Sequence, residues 1–293
     1  MTKPSGIISV RERCDGGDVA TEVTEIPLGW TRGNHHLVLM VHGFNNNVDE
    51  ARSAFSKLTD KLPECFPKVG WFYWPGDADM GWFDFLDFLS YPTDIPDAQE
   101  SALHLANTLT RLAQETPGLQ ITLVGHSLGC RLITECIHLL AARRASDRPQ
   151  INALLFMAAA VPVDLVESDQ ALGQSIRELA PNGYVFHSTD DLVLQFAFPA
   201  GQTLAAAMGY EPNIYLEAVG RHGSPTDLFP TNPENRAGNR HGDYWNDAKV
   251  AATLCTLGQA AVTRRTEYHF PPSSRELPLH QLPRWSSADC KMF

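Results

Sequence analysis

The sequence has no apolar run long enough to cross a bilayer, which takes about 20 consecutive apolar residues. It shows no signal-peptide core either. After Met1-Thr2-Lys3-Pro4-Ser5-Gly6 the apolar Ile7-Ile8-Ser9-Val10 runs straight into Arg11-Glu12-Arg13. Positive charge is scarce, with 23 Lys+Arg against 34 Asp+Glu and a net charge of -11. That balance disfavours nucleic acid or an anionic membrane surface as a partner. The six cysteines (Cys14, Cys65, Cys130, Cys136, Cys255, Cys290) form no C-x-x-C pair and no metal-ligand spacing. They read as small buried hydrophobes in a reducing compartment. Internal repeats and low-complexity tracts are also lacking. These absences set the expectations: a cytoplasmic location, no stable membrane insertion, no nucleic-acid partner, no metal and no cofactor.

What is present suits one large domain or a domain with a small cap, since 43% of the 293 residues are hydrophobic. Two extended stretches, 7–13 and 19–26, flank Asp15-Gly16-Gly17-Asp18 and predict a hairpin. The unbroken apolar run His36-Leu37-Val38-Leu39-Met40-Val41 predicts a central strand. Val48, Ala51, Ala54, Phe55, Leu58 and Leu62 recur at helical spacing after an asparagine suited to cap them. Further strands are predicted at 69–74, 121–124, 151–158, 184–187 and 213–219. Helices are predicted over 98–112, after residue 128, in part of 161–179 and over 243–262. Strands alternating with helices imply a mostly parallel sheet covered on both faces, with ligands at the carboxyl ends of the strands.

The chemistry centres on Gly125-His126-Ser127-Leu128-Gly129, which joins an apolar strand to a helix. A Gly-x-Ser-x-Gly turn of this kind holds the serine strained at its apex with Oγ exposed. Ser127 is the expected nucleophile, and it needs a base positioned beside it. In chain order an acid and then a histidine should follow. His241, in Arg240-His241-Gly242-Asp243-Tyr244-Trp245, is the chosen base because the aromatic pair can pack and hold its loop. His222 is the alternative, and His269 and His280 fall in a proline-rich tail. Asp190 and Asp191 end the strand at 184–187. Asp190 is chosen for its D-x-x-V spacing with Val193, Asp191 is the alternative, and Asp164 is an outside candidate. Leu128 N–H and Phe44 N–H are the expected oxyanion donors. His42 and His126 flank the site and read as structural hydrogen-bonders, and Asn45, Asn46 and Asn47 as turn and cap residues. His104 and His138 read as ordinary helix residues. The aromatic-rich segment 77–96 reads either as a small lid or acyl-chain wall or as plain packing against the sheet.

With these residues in place, the chain resembles the α/β-hydrolases. More narrowly, it is similar to bacterial esterase/lipase-like hydrolases of unknown function that carry a V-H-G-F-N-N block, a strand ending in W-P and a G-H-S-x-G elbow. The matching residues are Val41 to Asn46, Trp74-Pro75 and Gly125 to Gly129. The resemblance implies an α/β-hydrolase fold with an N-terminal antiparallel hairpin. It also implies a triad of Ser127, an Asp and a His, with His241 and Tyr244 matching an H-x-x-Y-like segment. The expected organisation is one domain over 1–266, with 77–96 as an insertion, and an irregular tail over 267–293.

Two readings of function follow. The first is a serine hydrolase cleaving a carboxylic ester, or a thioester or lipid ester, of a small-molecule substrate through an acyl-enzyme. The second is a hydrolase fold kept as a non-catalytic binding module, because fold alone does not establish activity. A serine at the apex excludes chemistry that needs a carboxylate nucleophile there.

Overall fold

The apolar runs of the sequence become the middle of one sheet. In the computed structural model the described residues are 4–13, 16–44, 46–63, 66–76, 91–180, 182–229, 235–236 and 238–267. The strands are β1 (Gly6–Arg13), β2 (Gly16–Ile26), β3 (His36–Val41), β4 (Lys68–Tyr73), β5 (Gln120–His126), β6 (Gln150–Met157), β7 (Gly183–His187) and the two-residue β8 (Asn235–Arg236). They form an 8-stranded sheet in the order β2-β1-β4-β3-β5-β6-β7-β8. Only the β1–β2 hairpin pairs antiparallel, and every other neighbouring pair is parallel. β3 is buried along its whole length, and β5 and β6 beyond their first residues. That is why their sequences read as near-continuous apolar runs rather than alternating ones.

The helices are α1 (Val48–Thr59), α2 (Tyr91–Glu115), α3 (Leu128–Ala141), α4 (Ala171–Leu179), α5 (Phe198–Met208), α6 (Val219–His222) and α7 (Ala248–Glu267). They cover both faces of the sheet. α2, α3, α4 and α5 pack in one group, while α1 packs on β4 and on a 3-10 turn at Asp243–Asn246, and α7 on β3. Among the described residues no helix is long and apolar enough to cross a membrane. α1 begins on a capping box. Asn47 Oδ1 accepts the Asp49 and Glu50 N–H groups at 3.0 Å, and Glu50 Oε2 accepts the Asn47 N–H at 3.0 Å.

One expectation of the fold is corrected. The strand predicted at 213–219 does not form. Ile214 and Leu216 are exposed and Tyr215 is buried, so the alternation is real, but the segment meets a neighbour only through an isolated bridge, Pro162 to Ala218. The ladder stops because the chain coils away on both sides, into a 3-10 turn at Val163–Val166 and into α6 at Val219. Of the segment 77–96, residues 91–96 are the start of α2. Residues 77–90 and 268–293 lie outside the described residues, and with them His269 and His280.

Candidate active site

β5 ends at the centre of the sheet, between β3 and β6, and Ser127 follows it directly. Its φ is 50° and ψ is -124°, a left-handed conformation that a side chain rarely adopts. Three backbone hydrogen bonds hold it there. Ser127 N–H donates to Met157 O at 3.0 Å, and Ser127 O accepts Cys130 N–H at 3.0 Å and Ala160 N–H at 3.1 Å. The two flanking glycines are explained by what surrounds them. A Cβ at Gly125 would lie 2.8 Å from Ile133 Cδ1, and one at Gly129 would lie 2.2 Å from His42 O. The elbow is therefore wedged between its own helix and the end of β3.

Ser127 Oγ donates to His241 Nε2 at 3.0 Å, and His241 Nδ1–H donates to Asp191 Oδ2 at 2.8 Å. The Asp191 side chain is fully buried, and its other oxygen, Oδ1, accepts Leu194 N–H at 3.0 Å. The His241 ring thus holds its proton on Nδ1 and presents Nε2 to the serine. The His241 side chain is 20% exposed.

Asp190, the acid chosen from the sequence, is not brought to this cluster; it is exposed. The reason is local. Ser188 O accepts Asp191 N–H at 3.2 Å and Ser188 Oγ accepts Asp190 N–H at 3.1 Å, forming a turn directly after β7. That turn directs its third residue outward and folds its fourth back onto the sheet. Asp191 then precedes the helical stretch that includes the π-helical turn Val193–Ala197 and caps it through Leu194 N–H. The D-x-x-apolar spacing exists, shifted one residue, as Asp191 with buried Leu194 rather than Asp190 with Val193. His222 is exposed at the end of α6, and Asp164 is exposed in a 3-10 turn at Val163–Val166. His104 is half-buried on α2, and His138 donates from Nδ1 to Ser175 Oγ at 2.9 Å, tying α3 to α4.

Leu128 is the first residue of α3, so its N–H has no acceptor within the helix. The Gly43–Phe44 peptide lies against the serine, since a Cβ at Gly43 would be 2.8 Å from Ser127 Cβ. Gly43 O accepts His42 Nδ1–H at 2.8 Å and, more weakly, Asn46 Nδ2–H at 3.4 Å. Asn46 Nδ2 also donates to Phe44 O at 2.8 Å. In a trans peptide the Phe44 N–H points opposite to the gripped Gly43 carbonyl. His42 Nε2 in turn accepts Trp74 N–H at 3.3 Å, and Trp74 Nε1–H donates to His42 O at 2.9 Å. Burial pushes His42 down to about 3, so it stays neutral and fills this bridging role.

Tyr244 and Trp245 are buried, and Trp245 meets Phe55 edge-on at 5.3 Å and His126 at 5.5 Å between ring centroids. Sequence reasoning did not find two contacts. His126 Nε2–H donates to His241 O at 2.7 Å, and the Arg221 guanidinium donates to Thr189 O and, at 3.2 Å, to Asp191 O. Both link residues far apart in the chain, and neither leaves a local pattern. Among the described residues no group of three potential metal ligands is gathered.

Residues 27–203, more than half of the chain, match a family described as "Alpha/beta hydrolase of unknown function". The chain belongs to this α/β-hydrolase family. The hydrolase resembles solved structures as well. One is the product of gene lin2722 from Listeria innocua, with 12% identity, a TM-score of 0.43, and coverage of 75% of this chain and 92% of that one. Another is Zea mays acyl-protein thioesterase 2, with 15% identity, a TM-score of 0.43, and coverage of 79% and 96%. A third is Trichoderma reesei cutinase, with 15% identity, a TM-score of 0.37, and coverage of 78% and 77%. No protein of curated function matches the sequence significantly.

Proposed function

We propose that this α/β-hydrolase is a serine hydrolase that cleaves a carboxylic ester, or a thioester or lipid ester, through an acyl-enzyme. The observation that carries the reading is the chain of contacts from Ser127 Oγ to His241 Nε2 at 3.0 Å and from His241 Nδ1 to Asp191 Oδ2 at 2.8 Å. A serine hydroxyl becomes a competent nucleophile when a neutral imidazole accepts its proton and a buried carboxylate holds that imidazole's tautomer.

In this reading Ser127 Oγ attacks the substrate carbonyl carbon as its proton passes to His241 Nε2. The carbonyl oxygen becomes an oxyanion held by the Leu128 and Phe44 N–H groups. Loss of one such donor costs about 3–4 kcal/mol of transition-state stabilisation. The intermediate collapses, the ester bond breaks, and His241 returns the proton to the departing alcohol or thiol. Water then repeats the sequence on the acyl-enzyme and frees the acid. Asp191 takes the role that sequence spacing suggested for Asp190. The left-handed Ser127 fits the reading, because backbone strain of about 1–3 kcal/mol collects at functional sites.

The test is a fluorophosphonate probe together with a short-chain p-nitrophenyl ester. Ser127 should be labelled and the ester turned over, and Ser127→Ala should lose both. His241→Ala should cut turnover to the small residual rate that the amide donors and substrate binding sustain, while His222→Ala keeps wild-type turnover. An unlabelled Ser127 in folded protein, with no ester turnover, would favour the non-catalytic module.

A further inference from the structure

We infer that His126 is a positioning residue that holds His241 in register with Ser127. This rests on the serine-hydrolase reading above. His241 follows residues 238–240, which have no regular structure, and precedes the 3-10 turn at Asp243–Asn246. Much of the bonding in that loop is local. Asp243 N–H donates to Arg240 O at 3.1 Å, Arg240 N–H to Asp243 Oδ2 at 3.0 Å, and Asn239 Nδ2–H to Asp247 Oδ2 at 2.7 Å. Such bonds shape the loop but do not place it relative to the sheet.

His126 does. It is the last residue of β5, covalently next to Ser127. Its Nε2–H donates to the His241 carbonyl at 2.7 Å, and its ring meets the His241 ring at 5.0 Å between centroids with a 62° tilt. One side chain therefore grips both the backbone and the ring of the base. Trp245 closes the other side by packing on both the His126 ring and Phe55 of α1. The same strand end that presents the nucleophile thus sets how far away the base lies.

The arrangement requires a neutral His126 with its proton on Nε2. Its Nδ1 is buried and has no hydrogen-bond partner among the described residues, where the Nε2 contact selects the tautomer. Burial, and next the proximity of His241, pushes His126 down to about 3. It remains uncharged while His241 carries the serine's proton, and so does not repel the imidazolium.

The test compares His126→Phe, which keeps a ring but no donor, with His126→Gln, which keeps an N–H donor. On a short-chain p-nitrophenyl ester His126→Phe should lower kcat on the order of 10²-fold with KM unchanged, as for a base misplaced by about 1 Å. His126→Gln should restore most of the loss. In a His241→Ala background His126→Phe should have no further effect, because a role exercised through His241 vanishes with it. Full kcat in His126→Phe, or an equal loss in the His241→Ala background, would overturn the assignment. The wild-type protein supplies a readout that needs no variant. Nitrogen NMR of labelled histidine should show His126 as the neutral Nε2–H tautomer at neutral pH, and an Nδ1–H tautomer would overturn it. Wild-type Ser127 that resists the fluorophosphonate and turns over no ester would remove both the hydrolase reading and this role. Labelled, active wild type with an undiminished His126→Phe would remove this role alone.

Discussion

Gly129 and His42 touch so closely that a Cβ on Gly129 would lie 2.2 Å from the His42 carbonyl oxygen. The contact joins the helix that follows the elbow to the end of β3, from which the Phe44 amide is offered. The obstacle is backbone on both sides, so nothing can swing away. Gly129→Ala should force α3 and the Gly43–Phe44 peptide apart, with an overpacking cost of about 1–3 kcal/mol. The expected outcome is a lower midpoint of thermal unfolding together with slower fluorophosphonate labelling of Ser127. Unchanged labelling by a folded Gly129→Ala protein would show that this contact does not set the geometry of the site.

The two adjacent aspartates should separate cleanly. Asp191→Asn removes the charge that holds the His241 tautomer and should lower kcat by roughly 10³–10⁴-fold. Asp190→Asn alters an exposed side chain and should leave turnover at the wild-type level. The reverse pattern would restore the acid chosen from sequence spacing.

Arg221 should matter through the backbone it holds. Its guanidinium donates to the carbonyls of Thr189 and Asp191, bracketing the turn that folds Asp191 inward. Arg221→Ala should reduce kcat more than it changes KM, and Arg221→Lys should recover part of it, since one ammonium cannot copy the fork. Equal kcat in wild type and Arg221→Ala, measured on the same ester, would dismiss the contact as incidental.

Stability should fall as pH drops below 6.5, because three buried histidines outweigh Asp97, a carboxylate that burial raises to about 6. Burial lowers His36 to about 4, and His42 and His126 to about 3, from 6.5. Below 6.5 the unfolded chain takes up protons at these positions that the folded one refuses, so unfolding becomes easier as pH falls. Each histidine's contribution to stability is fully present above 6.5 and is lost between 6.5 and its folded value, with a slope of up to about 1.4 kcal/mol per pH unit. Urea unfolding midpoints should therefore drop between pH 6.5 and about 5, and His36→Gln should flatten the decline. A level midpoint across that window would mean these rings are charged or solvated in the folded protein.

Much of this was legible in the chain itself. The runs at 36–41, 121–124 and 151–158 are buried on both sides, and such strands announce themselves by apolarity alone. Ser127 was legible because the elbow needs glycines at fixed offsets, and His241 because Tyr244 and Trp245 supply its packing. The choice between Asp190 and Asp191 was not legible. It turns on which way a four-residue turn points its corners, and Ser188 decides that through both its carbonyl and its hydroxyl. The strand expected at 213–219 shows the same limit, because alternation reports which side of a segment faces inward but not whether a partner lies alongside.

By itself the sequence determined the parallel sheet, its buried centre, the strained serine and the His241 segment that packs beside it, all of which depend on short-range spacing and local apolarity. Only the tertiary structure brings Asp191 rather than Asp190 to the His241 ring, carries His126 across 115 positions to the His241 carbonyl, and sets Arg221 against the carbonyls of Thr189 and Asp191. Those relationships are made where strand ends and loops distant in the chain converge. The side chains involved meet no neighbour in sequence that could have signalled the contact.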